Sequence, residues 1–406
     1  MFRSAIAPIS SMIILIMGNA FFITYTSIRL NLEGHSVKLI GYVTSAYFAG
    51  LLVGSLKSSK LIERVGHIRA YAAFAAILSI LPMIQANLQL AWTWIVIRFL
   101  VGFFIAGLFI NIESWLLGIS AQDNKGKIFA IYMTSYYASQ GIAQFFLNIS
   151  NPTSIMPFVV IMILSALSII PVCITKISAP IIKEPSYLNI SKLIKITPLG
   201  VIACAFAGFI SGPVYGLFPV YAEKLGLSIP QISQVIGITI FSGLIFQFPL
   251  GQLSDHIDRR KVIIFISFAL LVIAFLNVLN SVYSFLPILL LFATFGGFSF
   301  TIYPLSLSHA SDVIEQKDLV SATAGLVLIY SIGAIIGPII ASYSINFFGG
   351  KGLFIYLSTM ALLLVIYSLY QVIKKSPIPK DKKVQYTNIP STTLICSKLD
   401  SKSKKE

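Results

Sequence analysis

The sequence predicts an all-α integral membrane protein: twelve transmembrane helices in two six-helix pseudo-repeats that run parallel to each other. Three observations carry that prediction. The chain is 57% hydrophobic and only 11% charged, with a mean hydropathy of +0.89. A soluble domain carries about 25% charged residues, so most of this surface cannot face water. Apolar windows of spanning length follow one another along the whole chain. The chain also matches itself, without a gap, at an offset of 192 residues: Thr24 falls on Gly216, Gly34-His-Ser36 on Gly226-Leu-Ser228, Glu63 on Asp255, Ser114 on Ser306, Ala130 on Ala322 and Gly141 on Gly333. Many of these matches are single residues, and the unbroken register is what persuades. Like halves in an apolar chain describe a duplicated membrane machine with its working site between them.

A hydrocarbon core ~30 Å thick takes ~20 apolar residues per helix. Twelve such windows lie near 5–28, 39–57, 68–86, 90–113, 125–148, 155–175, 198–222, 232–252, 261–279, 283–307, 319–345 and 352–373. A closed barrel is the other way to satisfy backbone groups in lipid. Its strands of ~10 residues would alternate in polarity, and Val262–Asn277 does not alternate. The first window follows Arg3 but lacks a small-x-small cleavage site and has a counterpart near 196–220. It reads as a spanning helix rather than a signal peptide. External links such as Gln85–Leu90 are short, so neighbouring helices form antiparallel hairpins. The fifth window places Tyr137, Gln140 or Gly141, Gln144 and Asn148 on one face, which in lipid should look inward. In the seventh window Gly208, Gly212-Pro213 and Gly216 allow bending or close packing, as Gly296-Gly297 do in the tenth.

Lys176–Thr197, with Pro180, Pro185 and four Lys, is the one long internal link. It divides the chain into a first half (1–175), a cytoplasmic linker (176–197), a second half (198–374) and a disordered cytoplasmic tail (375–406). An even number of spans per half inserts both halves in the same orientation, as parallel repeats about an axis along the membrane normal.

The net charge of +15 does not point to nucleic acid, because of where it sits. Of 29 Lys and Arg, 24 fall on the N-terminus, the even-numbered connections and the tail; Arg29, Lys38, Lys224 and Lys351 lie on the other side, and Arg98 within a helix. That bias follows the positive-inside rule and puts both termini in the cytoplasm. The tail is either plainly solvated or drawn to anionic membrane lipid. Cys173, Cys204 and Cys396 form no CxxC, and the four His show no ligand spacing. Neither a disulfide framework, a metal site nor a cofactor is expected.

The strongest local signal is Gly251-Gln-Leu-Ser-Asp255-His-Ile-Asp258-Arg259-Arg260-Lys261, between the eighth and ninth windows. Its counterpart is Ser59-Lys-Leu-Ile-Glu63-Arg64-Val-Gly66-His-Ile-Arg69. Both resemble the signature loop of the major facilitator superfamily, Gly-x-Leu-x-Asp-Arg-x-Gly-Arg-Arg, and the resemblance covers nearly the whole chain outside the tail. The first copy departs from it, with Ser59 for the leading Gly and Glu63 for the Asp. Physically, a carboxylate at a helix end can hold the N-terminus of a facing helix. Adjacent Arg and Lys can pair with acids at other helix ends. Glu63, Arg64, Gly66, Arg69, Gly251, Asp255, Asp258, Arg259 and Arg260 are therefore read as a cytoplasmic gate; a basic turn obeying topology is the plainer alternative.

Arg98-Phe-Leu-Val-Gly102 and Ala106-Gly107 on the fourth window resemble the superfamily's second signature. An ionisable group in lipid normally faces a cavity or a partner. Arg98 is either a structural residue bonded to carbonyls of the first helix, or a group that binds substrate or modulates a proton site. Glu113 is the one acid clearly inside a window, ~22 Å along the axis from Arg98. It pairs with Arg64 or Arg69, or serves as a protonation site. Asn19, Tyr25, Tyr137, Gln140, Gln144, Tyr215, Tyr303 and His309 are the candidates for a substrate cavity, against a role in helix packing.

The chain is more closely similar to the YcaD-like group of bacterial major facilitator proteins. The similarity lies in Ser45-Ala-Tyr47-Phe-Ala-Gly50, Glu113-Ser114, Tyr136-Tyr137, Tyr215-Gly216-Leu-Phe-Pro219 and Phe298–Pro304. The Gly-x3-Gly-Pro element that drug–proton antiporters carry on the fifth helix stands here on the eleventh, at Gly333–Pro338, which weakens a drug-export reading. The resemblance implies a secondary transporter of the bacterial inner (plasma) membrane, moving a small solute by alternating access as a functional monomer. With no Gly-x4-Gly-Lys-Ser/Thr loop to use ATP, proton coupling follows. Export of amphipathic compounds is the alternative within transport, and the aromatic, Gln-rich lining hints at a neutral or amphipathic solute. A membrane-embedded enzyme would want clustered His, Asp or Glu, and a passive channel fits two-half symmetry poorly.

Overall fold

The computed structural model describes residues 2–88, 90–119, 125–175, 189–279, 284–315 and 318–374, together with Lys383 and Tyr386. Among these residues every regular element is helical. The first half holds α1 (Phe2–Leu32), α2 (Val37–Val65), α3 (His67–Asn87), α4 (Ala91–Ile119), α5 (Lys125–Ala143), α6 (Met156–Leu167) and the short α7 (Ile170–Cys173). After α8 (Ile190–Ile196) the second half runs through α9 (Pro198–Lys224), α10 (Ile229–His256), α11 (Arg259–Leu279), α12 (Phe285–Ser311), α13 (Leu319–Phe348) and α14 (Gly352–Lys374).

Ten described stretches are long and apolar enough to cross a bilayer, and the last, Leu319–Lys374, is two helices joined at Gly349–Lys351. The polar run Tyr132–Gln140 keeps α5 out of that set, and α5 supplies the twelfth crossing. The duplication is visible in the element bounds. α3 and α11 are both 21 residues long and lie 192 residues apart at each end. α2 and α10 begin, and α4 and α12 end, at the same offset. Local chemistry explains the match. Gly34 and Gly226 both have φ near +78°, a left-handed conformation that a residue without Cβ adopts freely. Two residues on, Ser36 accepts from Leu39 N (3.3 Å), and Ser228 forms a capping box with Gln231.

Several expectations shift. The charged motifs are tight helix-to-helix turns rather than free loops: Glu63, Arg64 and Asp255 lie in the last turns of α2 and α10, and Arg69, Arg259 and Arg260 in the first turns of α3 and α11. The fifth window tightens into a 3-10 helix at Gln144–Asn148. The sixth is broken between α6 and α7, where Pro171 has no N–H to donate back to Leu167. The end of the linker forms α8, capped by Asn189, whose Oδ1 accepts from Ser191 N at 2.9 Å. Linker residues 176–188 and most of the tail lie outside the described residues.

Small residues set the closest helix contacts. A Cβ on Gly50 would lie 2.0 Å from Phe99 O, and one on Gly208 would lie 2.1 Å from Tyr330 O. α2 therefore presses on α4, and α9 on α13, backbone to backbone. The halves meet where α1, α2 and α5 face α9, α10 and α13. One face of the bundle carries the charged turns and α8, and is called here the basic face. Toward the opposite face the halves are clasped. Tyr42 and Tyr343 share a hydroxyl–hydroxyl bond of 2.8 Å, and Lys38 Nζ sits 4.7 Å from the Tyr343 ring centroid. Asn148 donates to Ser233 at 3.0 Å, and Asn31 lies against Glu223.

Candidate functional site

A cavity of about 670 Å³ lies between the halves, within the ~300–1,000 Å³ range of solute sites. The first half contributes Asn19, Tyr47, Phe48, Ser55, Phe109, Tyr136 and Gln140; the second contributes Tyr215, Val327, Tyr330 and Ser331. An adjoining chamber of about 390 Å³ shares Ile23, Gln140 and Tyr215 and adds Gln144, Thr239 and Phe300. Both linings are aromatic, amide and hydroxyl in character, with no charged side chain among them. Asn19 donates to Tyr47 Oη at 2.9 Å and Gln140 to Tyr136 Oη at 3.0 Å. The carbonyl oxygens of Asn19, Gln140 and Gln144 meet no partner among the described residues, so the cavity offers acceptors.

Of the sequence candidates, Asn19, Gln140, Gln144 and Tyr215 line these chambers. Tyr137 stands at their edge, where its hydroxyl accepts from Gln247 at 2.8 Å; Gln247 also donates to Phe300 O at 3.0 Å, joining α5, α10 and α12. Tyr25, Tyr303 and His309 do not line them. Tyr25 is buried against Phe158, with ring centroids 4.9 Å apart, and donates to Pro152 O at 2.9 Å, a link that closes the first half. Tyr303 sits behind Tyr330, its ring centroid 5.0 Å away. His309 is buried in the last turn of α12. The sequence reading singles out neither Tyr47, Tyr136 and Tyr330, which line the cavity, nor Gln247, which holds Tyr137 at its edge. Tyr47 and Tyr136 stood in the segments of family resemblance; Gln247 was legible as a lone amide in an apolar run.

Arg98 is buried on α4. Its guanidinium lies 3.7 Å from the Phe22 ring centroid, and Nη2 donates to Phe22 O of α1. It borders an alcove of about 260 Å³ whose walls Ile23, Tyr47 and Phe48 are shared with the main cavity. Glu113 is fully buried and accepts from Tyr132 Oη at 3.0 Å. The expected pairing with Arg64 or Arg69 is not formed. Glu113 turns toward α5 about 9 Å short of the end of α4, whereas Arg64 and Arg69 are exposed on the basic face. Glu113 is also not the sole helical acid, since Glu223 lies in the last turn of α9.

The two charged turns are built differently. In the second, Arg259 is 1% exposed; its Nε meets Asp312 Oδ2 at 2.7 Å, Nη1 donates to Ser254 Oγ at 2.7 Å and Nη2 to Asp255 Oδ1 at 3.0 Å. Arg259 thus straps the ends of α10 and α12 together within the second half. Asp258 accepts from Arg260 N at 3.0 Å and pairs with Arg260 Nη2 at 2.6 Å. Burial works to raise this carboxyl, and Arg260 outweighs it, holding the group below the usual carboxylate range. In the first turn Glu63, Arg64 and Arg69 are exposed and make no ion pair among the described residues. Gly66, at φ +87°, stands in place of Asp258, and His67 stands in place of Arg259, bonded to Asn111 at 3.1 Å.

Two residues of the stretch expected to be disordered pack onto the second turn. Tyr386 N donates to both Asp255 oxygens, at 2.9 and 3.2 Å, and its ring lies where a Cβ on Gly251 would project. Lys383 Nζ donates to Ile257 O.

A helical bundle of this kind has counterparts among known proteins. The family model described as Major Facilitator Superfamily matches residues 9–189 and 199–397. The chain belongs to that superfamily. Its curated relatives include the uncharacterised MFS-type transporter YcaD of Escherichia fergusonii, 27% identical over 90% of this chain and 95% of that protein. YcaD of Salmonella dublin is 28% identical over 81% of this chain and 86% of that protein. Among solved structures, the nucleoside transporter NupG superposes with a TM-score of 0.76 at 12% identity, covering 92% of this chain and 100% of that one. A D-xylose–proton symporter does so with a TM-score of 0.68 at 13% identity, covering 94% and 99%. Those two likenesses concern the fold. As a major facilitator protein, the chain is a multi-pass membrane transporter, and the cavity between its halves is the place to look for the solute.

Proposed function

We propose that this protein is a secondary transporter that carries a small solute across a bacterial inner (plasma) membrane by alternating access, coupled to protons. One observation carries the reading. Both halves line the cavity, while the contacts between them gather toward the opposite face, an arrangement in which one gate is shut and the other is free to exchange solute. The excess of Lys and Arg supports assigning the basic face, and both termini, to the cytoplasm. Exposed Phe248, Phe265, Phe268 and Phe275 give the outer surface the character that lipid requires. Each chain holds both halves and the whole cavity, which supports a functional monomer.

In this reading Glu113, held by Tyr132, takes and releases the coupling proton. The Asp255–Arg259–Asp312 strap stiffens one side of the cytoplasmic gate, and Glu63, Arg64 and Arg69 form its looser counterpart. The aromatic walls Tyr47, Tyr136, Tyr215 and Tyr330 favour an amphipathic solute, moved either inward or outward. Reconstitution in liposomes tests the proposal: counterflow and acceleration by an imposed pH gradient are expected. Conduction that neither saturates nor exchanges would overturn it.

A further inference from the structure

Among the described residues of the membrane-embedded part, the least satisfied charge is Arg98. The side chain is 2% exposed and lies ~10 Å along α4 from its start. Stacking on Phe22 and the bond from Nη2 to Phe22 O use one face of the guanidinium and one of its nitrogens. Nε and Nη1 have no hydrogen-bond partner among the described residues. The alcove that Arg98 borders has no carboxylate in its lining. Glu113 is ~22 Å further along the same helix and bonded to Tyr132. Arginine does not shed its proton, and a buried cation without a counter-charge is strongly disfavoured. The repeat counterpart of Arg98 is Leu290, 57% exposed on α12, so the second half folds without a buried cation at this position.

The alcove is not isolated. Ile23, Tyr47 and Phe48 wall both it and the main cavity. The Tyr47 hydroxyl accepts from Asn19, which leaves its own proton available to donate. Arg98 and Tyr47 therefore bring donors to the alcove, whereas the unpartnered side-chain oxygens of Asn19, Gln140 and Gln144 are acceptors.

We propose that Arg98 receives an anionic group of the transported solute. The solute is then an amphipathic organic anion, a carboxylate in its simplest form. Its charge enters the alcove between Arg98 and Tyr47, and its body lies among Tyr136, Tyr215 and Tyr330. This rests on the main cavity being the solute site, and it replaces a neutral solute with one that carries a single negative charge.

The test uses the purified full-length protein and matched probes: phenylacetate, indole-3-acetate and octanoate, each against its primary amide. At least one acid is expected to raise the melting temperature while its amide does not. Arg98→Met should weaken binding of that acid about 10–100-fold, the range that charged hydrogen bonds supply. Arg98→Lys should keep part of it, because it retains the charge and loses the fork. In the absence of probes, Arg98→Met should melt no lower than the wild type, because it removes an uncompensated buried charge. Amides that bind as well as acids, a wild type that responds to neither series, or acid binding unchanged in Arg98→Met each overturn the proposal. The first two of those outcomes need no variant to fold. Acid binding that depends on Arg98 without counterflow of that acid in liposomes would overturn the transport reading and leave the site. Counterflow of neutral solutes, indifferent to Arg98→Met, would do the reverse.

Discussion

Asn31 and Glu223 occupy the same position in the two halves, 192 residues apart, and their side chains lie against each other at the face opposite the charged turns. Residues related by a two-fold axis can touch only where they lie on that axis, so the pair marks where the pseudo-symmetry axis leaves the bundle. The clasp is chemically unlike itself, an amide on α1 against a carboxyl on α9. A duplication has been specialised there into a donor and an acceptor.

Breaking that clasp should loosen the closed side. A polar contact of this kind is worth up to about 1 kcal/mol, so Glu223→Ala should shift the balance of open and closed forms by up to about fivefold. The measure is the labelling rate of a cysteine placed at Ser331, using an impermeant maleimide added from the opposite face. An unchanged rate would mean that Tyr42, Tyr343 and Lys38 hold the seal without it.

The Arg259 strap makes a stability prediction. Arg259 and Asp312 are each 1% exposed, and truncating one member of a buried ion pair costs about 3–5 kcal/mol. Arg259→Ala should therefore melt markedly lower than the wild type, whereas Arg64→Ala and Arg69→Ala, exposed in the first turn, should leave the melting temperature nearly unchanged. Equal effects in the two turns would contradict the asymmetry between them.

Tyr386 and Lys383 reach the second turn from the tail. Ending the chain after Lys375 should expose the helix end they cover, so backbone amide exchange across 251–257 should quicken. Initial counterflow should rise if the docked segment obstructs the cytoplasmic mouth. Tyr386→Ala in the full chain should reproduce part of both effects, and unchanged exchange in the truncated protein would show that the contact does not protect the turn.

Glu113 is the carboxyl proposed to carry the proton. Glu113→Gln keeps an oxygen for the Tyr132 hydroxyl and removes the charge change. Solute exchange at equal pH should survive while acceleration by a pH gradient is lost. A variant that still responds to the gradient assigns coupling elsewhere.

Much of the architecture was legible because it is local. Crossing length and apolar content announce each span. Gly34 and Gly226, with Ser36 and Ser228 behind them, end one helix and start the next by backbone and capping chemistry that needs no distant partner. Pro171 is as visible in the sequence as these glycines, and it breaks the sixth span. The site was legible only in part. Asn19, Gln140, Gln144 and Tyr215 stood out as polar or aromatic groups in apolar helices, and they line the cavity. The same criterion put Tyr25, Tyr303 and His309 there, where they are packed elsewhere.

What the sequence by itself determined is the number of crossings, their repeat and the residues that punctuate them. Tertiary structure decided which way each side chain faces. In a soluble helix the polar stripe tells solvent from core. In lipid both sides of a helix are apolar, so no stripe distinguishes a wall of Tyr47 and Tyr330 from any other aromatic pair. Only packing shows that Glu113 turns to Tyr132 rather than to Arg64 or Arg69, and that two donors of Arg98 meet no partner among the described residues.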